Sequence, residues 1–308
     1  MLAATLRALF LWLSNRRWMA RLALGTPLLR RMPLRFVAGT TLDQALAAVR
    51  GLNAIGASAT LDVLGESVAD RAAADRAAAS YVAAIERIAA GKLDANVSIK
   101  LTQIGLDLGV EECLAALAPV AAAGDHYGIF VRIDMESSDY TDRTLEVVRR
   151  LRADGHDVGP VVQSYLHRSP DDVERLAAER VRTRVCKGAY AESSGIAYQE
   201  REAVGDAFVT LCEDLLRADA YPGVATHDPE MIRRVGAFVG ERAIGHDRFE
   251  FQMLYGVRRD LQRQLIAAGY RLRVYVPYGT EWYPYFMRRL AERPANVLFV
   301  LRSVFGER

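Results

Sequence analysis

The chain has 308 residues, of which 51% are hydrophobic and 25% charged, and its formal net charge is +2. This balance is ordinary for a folded domain and too weakly basic to predict a nucleic-acid partner. The three cysteines lie far apart and form no Cys-x-x-Cys pair, so neither a disulfide framework nor a zinc site is indicated. A reducing cytoplasm is therefore expected.

Residues 1–50 are predicted to form a helical extension ahead of the main domain. They carry eight arginines and one acidic residue, Asp43. The apolar run at residues 8–13 is too short to span a membrane, which takes about 20 residues. Residues 1–24 fit an amphipathic helix, for which two interpretations stay open: a cap packed on the domain, or a basic contact with a membrane surface. Thr41 is predicted to cap the next helix.

Between residues 56 and 276 one pattern recurs eight times: a short apolar run followed by an amphipathic stretch rich in arginine and alanine. Such alternation predicts parallel strands with crossover helices, and eight units close a barrel. The predicted strands cover residues 57–64, 97–101, 129–133, 158–162, 181–186, 224–225, 249–254 and 272–276. We therefore predict an α/β fold, a (βα)8 barrel of TIM type over residues 51–308, with its chemistry at the carboxyl ends of the strands.

The stretches between the strands predict the crossover helices. The longest, residues 68–90, is rich in alanine and is followed by Gly91, a helix-stop residue. Further helices are predicted near residues 110–123, 141–153, 170–179, 199–218, 228–239 and 257–268. The sixth strand, between Pro222 and Pro229, has the weakest pattern of the eight.

Lysine is scarce, since only three of the 40 basic residues are lysines. Lys92 lies beside Gly91 and is interpreted as a surface residue. Lys100 and Lys187 lie at predicted strand ends, where a compact ammonium is not interchangeable with a planar guanidinium. Functional roles are therefore predicted for these two lysines.

Other polar residues lie within or directly after the predicted strands. Asp134 follows the third strand, and Arg132 lies two residues earlier on the same face, so an ion pair between them is the simplest structural interpretation. A buried Arg184 needs an anionic or hydrogen-bonding partner. Gly188 lets a ligand approach backbone amides. His227 follows the sixth strand, where it could bind a cofactor or cap the next helix.

Aromatic residues and two arginines follow the eighth strand. Tyr285, Arg288 and Arg289 stand at positions i, i+3 and i+4, so one helical face offers a phenol and two guanidiniums. This arrangement suits the capture of a carboxylate over an apolar floor. No glycine-rich Rossmann fingerprint or P-loop occurs in the chain.

Several unconnected motifs, running in the same order from about residue 40 to the C-terminus, resemble the proline dehydrogenase family. They are Lys100, Ile133-Asp134-Met135-Glu136, Gln163-Ser164-Tyr165, Arg184-Val185-Cys186-Lys187-Gly188-Ala189-Tyr190, Ala225-Thr226-His227, Phe251-Gln252-Met253-Leu254-Tyr255-Gly256 and residues 285–289. The resemblance implies a distorted eight-stranded barrel with non-covalent FAD on its carboxyl rim. It also implies oxidation of L-proline to 1-pyrroline-5-carboxylate by hydride transfer from proline C5 to flavin N5, the first step of proline breakdown to glutamate.

The resemblance further implies roles for individual positions. Asp134 and Arg184 match positions regarded as catalytic in the family. Contacts with FAD are implied for Met135, Gln163, Arg184, Lys187, Gly188, Ala189, Thr226 and His227. Contacts with proline are implied for Lys100, Leu254, Tyr275, Tyr285, Arg288 and Arg289.

The family also implies partners. These are L-proline, a membrane quinone as electron acceptor and a separate pyrroline-5-carboxylate dehydrogenase that takes the product. The chain resembles the monofunctional bacterial form, which is expected to be cytoplasmic, and peripheral at the inner face of the membrane if its N-terminus binds lipid.

Two other functions stay open. Lys187 or Lys100 could form a Schiff base in an aldolase, which borohydride trapping would reveal. Alternatively, the basic N-terminus could serve a non-catalytic membrane scaffold. The clustering of polar residues at one rim argues against a scaffold, because a scaffold has no use for it.

Overall fold

The computed structural model describes residues 35–65, 67–283 and 285. Eight parallel strands close a barrel in chain order, with β8 paired to β1. They are β1 Ser58–Val63, β2 Ala95–Ile99, β3 Val131–Ile133, β4 Val158–Gln163, β5 Arg184–Cys186, β6 Gly223–Ala225, β7 Glu250–Leu254 and β8 Leu272–Tyr278. The predicted α/β barrel is therefore confirmed, including its weakest strand.

Helices cover the outside of the barrel. They are α1 Leu42–Asn53, α2 Arg71–Ala90, α3 Val110–Tyr127, α4 Thr141–Ala153, α5 Ser169–Ala178, α6 Arg201–Arg217, α7 Pro229–Glu241 and α8 Arg259–Ala267. Each crossover helix was predicted, with its ends displaced by a few residues. Within the described residues, none of the helices combines the length and hydropathy that crossing a membrane requires.

Two strands, β3 and β5, begin two or three residues later than the apolar runs that predicted them. The run at residues 129–133 contains β3 only from Val131, because the Ile129 amide donates to the Gly124 carbonyl of α3 at 2.8 Å. The run at residues 181–186 contains β5 only from Arg184, because the Val181 amide donates to the Leu176 carbonyl of α5 at 2.9 Å. These apolar residues therefore close the preceding helices and do not extend the barrel.

Helix α1 covers the seam between β8 and β1, against which its buried face packs. In a regular barrel the helix after the eighth strand takes this position. Thr41 caps this helix as predicted: its hydroxyl accepts from the Gln44 amide, while the Gln44 side chain accepts from the Thr41 amide. The barrel is thus distorted at this seam. The predicted extension of residues 1–50 includes part of α1, while residues 1–34 lie outside the described residues.

The barrel interior is unusually polar. Eight-stranded α/β barrels usually fill it with branched aliphatic residues, and here such residues face outward, as Leu61, Val97 and Val185 do, against the helices. Hydrogen bonds across the interior instead join polar side chains, as between Thr60 and Asn96. A polar interior of this kind can place charges close to a ligand at either end of the barrel.

Candidate active site

Asp134 joins three strands at the carboxyl end of the barrel. It follows β3, and its Oδ1 accepts from the Arg184 Nη1 of β5 at 2.8 Å and the Ser98 hydroxyl of β2 at 2.6 Å. Its Oδ2 accepts from the Tyr275 hydroxyl of β8 at 2.7 Å. Three of the predicted site residues therefore meet at one carboxylate.

Lys100, directly after β2, lies between two carboxylates. Its Nζ is 2.9 Å from Asp62 Oδ1 and 3.9 Å from Asp134 Oδ2. The other oxygen, Asp62 Oδ2, is buried and has no hydrogen-bond partner among the residues that the structure describes. We name the rim cluster by its members: Asp62, Lys100, Asp134, Arg184 and Tyr275.

Opposing effects set the protonation of Asp134. Burial raises the pKa of its carboxyl, but the charges of Arg184 and Lys100 and the hydrogen bonds from Ser98 and Tyr275 outweigh burial. The pKa of Asp134 therefore lies below its usual value, and the residue is an anion at neutral pH.

The neighbouring Asp62 and Lys100 form a second charged pair. Burial raises the pKa of Asp62 even though the Lys100 ammonium opposes it. Burial also lowers the pKa of Lys100, but the charges of Asp62 and Asp134 outweigh this effect and leave that pKa raised. Lys100 is therefore a cation at neutral pH, the wrong state for a Schiff-base nucleophile.

A chain of hydrogen bonds holds Arg184 from the side that faces the amino ends of the strands. Its Nε donates to Gln252 Oε1 at 2.5 Å, and the Gln252 amide donates to Glu250 Oε1 at 2.6 Å. The same Glu250 oxygen accepts from Arg273 Nε at 2.7 Å. The guanidinium also lies 5.2 Å from the centroid of the Tyr275 ring. Arg184 is thus held in one orientation.

The predicted ion pair of Arg132 with Asp134 is wrong. Arg132 Nη1 donates instead to the carbonyl oxygens of Pro160 and Arg182. The two residues share a face of β3, but the acid lies towards the carboxyl end and pairs with Arg184, which comes from another strand. Spacing within one strand could not show this partner.

A second group of predicted residues lies after β5, β6 and β7. Lys187 Nζ is 2.7 Å from Asp228 Oδ2, and the Thr226 hydroxyl accepts from the Asp228 amide at 3.1 Å. His227 Nε2 accepts from the Leu254 amide at 2.9 Å. The proposed capping role belongs to Asp228, which begins α7, and not to His227.

Close packing accompanies the loop after β5. Gly188 has φ +109, and a Cβ there would stand 2.3 Å from a ring carbon of Tyr165, so only glycine fits. Gln163 donates to the Glu136 carbonyl at 2.8 Å. Of the other predicted cofactor residues, Met135 is buried and Ala189 is exposed.

The segment after β8 brings a further aromatic residue into the fold. Tyr285 is buried, as are the nearby Trp282 and Tyr283. The predicted carboxylate clamp, Arg288 and Arg289, lies outside the described residues.

Three polar residues of this region were missed as site residues: Asp62, Ser98 and Gln252. The available signal for Asp62 was an acidic residue inside the buried strand β1, which has no other charged residue. Gln252 belongs to one of the motifs that resemble the family, but its contact with Arg184 links residues 68 positions apart. Ser98 carried no signal distinct from an ordinary strand serine.

Comparison with known proteins matches this architecture to one family. The sequence model described as proline dehydrogenase matches residues 45–302. Proline dehydrogenase 1 of Bacillus subtilis (strain 168) is 40% identical over 301 residues, covering 97% of this chain and 99% of the relative. Proline dehydrogenase of Deinococcus radiodurans is 42% identical, covering 88% and 89%. Such full-length matches correspond to the monofunctional form that the motifs predicted.

A solved structure supports the same assignment. Proline utilization A from Bdellovibrio bacteriovorus, inactivated by N-propargylglycine, superposes with a TM-score of 0.81 at 25% identity over 90% of this chain. The chain spans only 34% of that larger protein. Motifs, fold and full-length relatives therefore agree: the chain belongs to the proline dehydrogenase family and is an oxidoreductase of proline metabolism.

Proposed function

We propose that this protein oxidises L-proline to 1-pyrroline-5-carboxylate with non-covalent FAD bound at the carboxyl rim of the barrel. The observation that carries the proposal is the position of Arg184 in the rim cluster, where Asp134 of the cluster and the adjacent Ser98 and Gln252 hold its buried guanidinium. Preorganised charge of this kind stabilises charge that develops during a reaction.

The donor chemistry of the rim fits a flavin dinucleotide. Arg184 uses Nε and Nη1 inside the protein, and its Nη2 donates to no acceptor within the described part of the chain. Lys187 is one-third exposed and has further N–H groups for a phosphate. We assign cofactor binding to these two and to Met135, Gln163, Gly188, Ala189, Thr226 and His227.

Bound FAD supplies N5 of its isoalloxazine ring as the acceptor of the hydride from proline C5. Arg184 would stabilise the negative charge that the transfer leaves on the cofactor side. The substrate amine must lose its proton before the hydride can leave. The Lys100 cation would lower the pKa of a neighbouring amine and so favour the deprotonated form.

The substrate carboxylate is assigned to Arg288 and Arg289, whose planar guanidiniums match it in geometry. Tyr275, Tyr285 and Leu254 would hold the five-membered ring and exclude water. Replacing Arg288 or Arg289 by alanine is expected to raise the KM for proline at least tenfold while FAD stays bound, which absorption spectra of the purified variants can check. An unchanged KM in both variants would contradict the clamp.

The electrons are proposed to pass to a membrane quinone, and the product to a separate pyrroline-5-carboxylate dehydrogenase. The arginine-rich residues 1–24 would then bring the enzyme to an anionic membrane surface. In a liposome-flotation assay the full chain should float with anionic vesicles, and a chain lacking residues 1–24 should not. Equal flotation would assign the segment to the fold instead.

The visible spectrum of the purified protein tests the central proposal. We expect a yellow protein whose flavin absorption bleaches when L-proline is added without oxygen, and persists when L-alanine is added instead. A colourless protein that takes up no added FAD would contradict the proposal. Trapping of a carbonyl substrate on Lys100 or Lys187 by borohydride would favour an aldolase.

A further inference from the structure

A second polar site lies at the opposite end of the barrel. A cavity of about 400 Å³ opens at the amino ends of the strands. Its charged lining residues are Asp94, Arg132, Arg182, Glu250, Arg271 and Arg273. We call this space the mouth cavity. The amino end of an eight-stranded barrel normally serves stability and not chemistry, so four arginines around one space need an explanation.

Two of these four arginines form an ion pair with an acid. Arg273 Nε is 2.7 Å from Glu250 Oε1, and Arg182 Nη2 is 3.2 Å from Asp157 Oδ2. Within the described residues, Arg132 and Arg271 have no carboxylate within 4.0 Å. Asp94 accepts a hydrogen bond from the Ser58 hydroxyl at 2.6 Å. The cavity therefore keeps an excess of positive charge.

Arg132 is the less usual of the two, because it is only 3% exposed. Its Nη1 donates to two backbone carbonyls, and its guanidinium lies 4.6 Å from the centroid of the Phe130 ring. Its Nε is buried and donates to no acceptor in the part of the chain that the structure describes. Burial and the nearby Arg184 charge lower the pKa of Arg132 more than the charges of Glu250 and Asp134, which lie beyond ion-pair distance, raise it. Arginine nevertheless stays charged in proteins, so a buried guanidinium calls for a counter-charge.

We propose that the mouth cavity binds a small oxyanion, a phosphate or carboxylate group, through Arg132 and Arg271. The fork of N–H donors on a guanidinium matches two oxygens of such a group, a match that chloride cannot make. The volume is ample for a phosphate-sized group. This site is at the far end of the barrel from the rim cluster, and its existence does not depend on the proposed proline oxidation.

Titration calorimetry of the purified full-length holoenzyme tests the site. Inorganic phosphate and malonate would be titrated separately at constant ionic strength, with chloride as the reference anion. We expect saturable binding of one anion per chain for phosphate, malonate or both, and none for chloride. The preferred anion identifies the ligand class. Absence of saturable binding for both would overturn the proposal.

Variants locate the bound anion. Arg132→Met and Arg271→Gln should each weaken binding about tenfold, as expected when one charged hydrogen-bonding partner is lost. Arg271 is exposed, so its variant tests the site even if the buried replacement fails to fold. Arg234→Gln on α7 is the matched surface control and should bind like the parent. If only Lys187→Gln weakens binding, the anion sits at the carboxyl rim and the proposal is wrong.

Discussion

Two inward-facing arginines, one towards each end of the barrel, show how the same side chain can be prepared for different tasks. Arg184, in the rim cluster, is surrounded by Asp134, Ser98 and Gln252, which fix its charge and its orientation. Arg132, at the mouth cavity, is equally buried, but its direct contacts among the described residues are backbone carbonyls and an aromatic ring, with no carboxylate at ion-pair distance. Asp134 of the protein supplies the counter-charge of the rigidly held Arg184, whereas the proposed bound anion supplies that of Arg132.

The two ends are connected through the barrel. Gln252 contacts Arg184 on one side and Glu250 on the other, and Glu250 lines the mouth cavity. Two side chains, Gln252 and Glu250, therefore connect Arg184 at the carboxyl end of the barrel to the mouth cavity at the amino end.

The largest effect is expected for Arg184→Met. We expect the kcat for proline with an artificial dye acceptor to fall about a thousandfold, the upper range for loss of one preorganised charge-stabilising group. FAD content measured by absorbance would separate lost chemistry from lost cofactor. Arg234→Gln is the surface control and should retain activity. A variant that keeps more than a tenth of the activity would remove Arg184 from the proposed mechanism.

Glu250→Gln tests the support below Arg184. Burial raises the pKa of Glu250, but the charge and hydrogen bond of Arg273, the hydrogen bond from Gln252 and the charge of Arg132 together outweigh burial, so the net shift is downward. Breaking this buried pair should reduce the free energy of unfolding by about 3 kcal/mol at pH 7. Because the folded pKa is depressed, this stability is present above the unfolded value of about 4.3 and is lost as the pH falls through the folded pKa.

Urea unfolding followed by circular dichroism checks this prediction. The difference in the free energy of unfolding between the parent and Glu250→Gln should be constant from pH 8 to pH 5 and should become smaller below about pH 4. Glu230→Gln, which removes an exposed partner of Arg233, is the matched control and should leave the midpoint unchanged. If this difference in free energy became larger at acidic pH, the pKa of Glu250 could not be lowered in the folded protein.

Lys100→Met should have a smaller effect, on pH dependence. Without the cation, Asp62 and Asp134 favour the protonated substrate amine, so the rising limb of the kcat/KM profile should move about one unit to higher pH. At pH 7 the loss in kcat/KM would then be about tenfold. Lys92→Met, outside the site, is the control. A profile that moves to lower pH would rule out this role.

The smallest effect concerns the seam of the barrel. Thr41→Ala removes the capping box of α1 and should cost about 1 kcal/mol, or roughly 2–4 °C in Tm by calorimetry. Thr40→Ala is the control, because only the backbone amide of Thr40 bonds to Gln44. Equal losses in both variants would point to β-branched packing and not to capping.

The local hydrophobic pattern predicted the eight strands, because the apolar residues of each strand and each helix mark the positions that are buried in that element. The same logic misplaced the starts of β3 and β5, because Ile129 and Val181 are apolar for the sake of the preceding helices. Asp134 was found at a strand end, but its partner Arg184 comes from a strand 50 positions later. Such pairings depend on how the strands are staggered around the barrel, which no local spacing encodes. Placing Arg288 and Arg289 as a clamp stays a prediction.

The position of α1 has a consequence for the newborn chain. Leu46 and Val49 emerge early from the ribosome, yet half of the groove they occupy is made by β8, more than 200 residues later. Until β8 is translated, the apolar side chains of Leu46 and Val49 cannot be fully buried. The packing of α1 against β8 is therefore a late contact between residues far apart in sequence, and such contacts slow folding. A nascent chain stopped before residue 272 should therefore stay prone to aggregation.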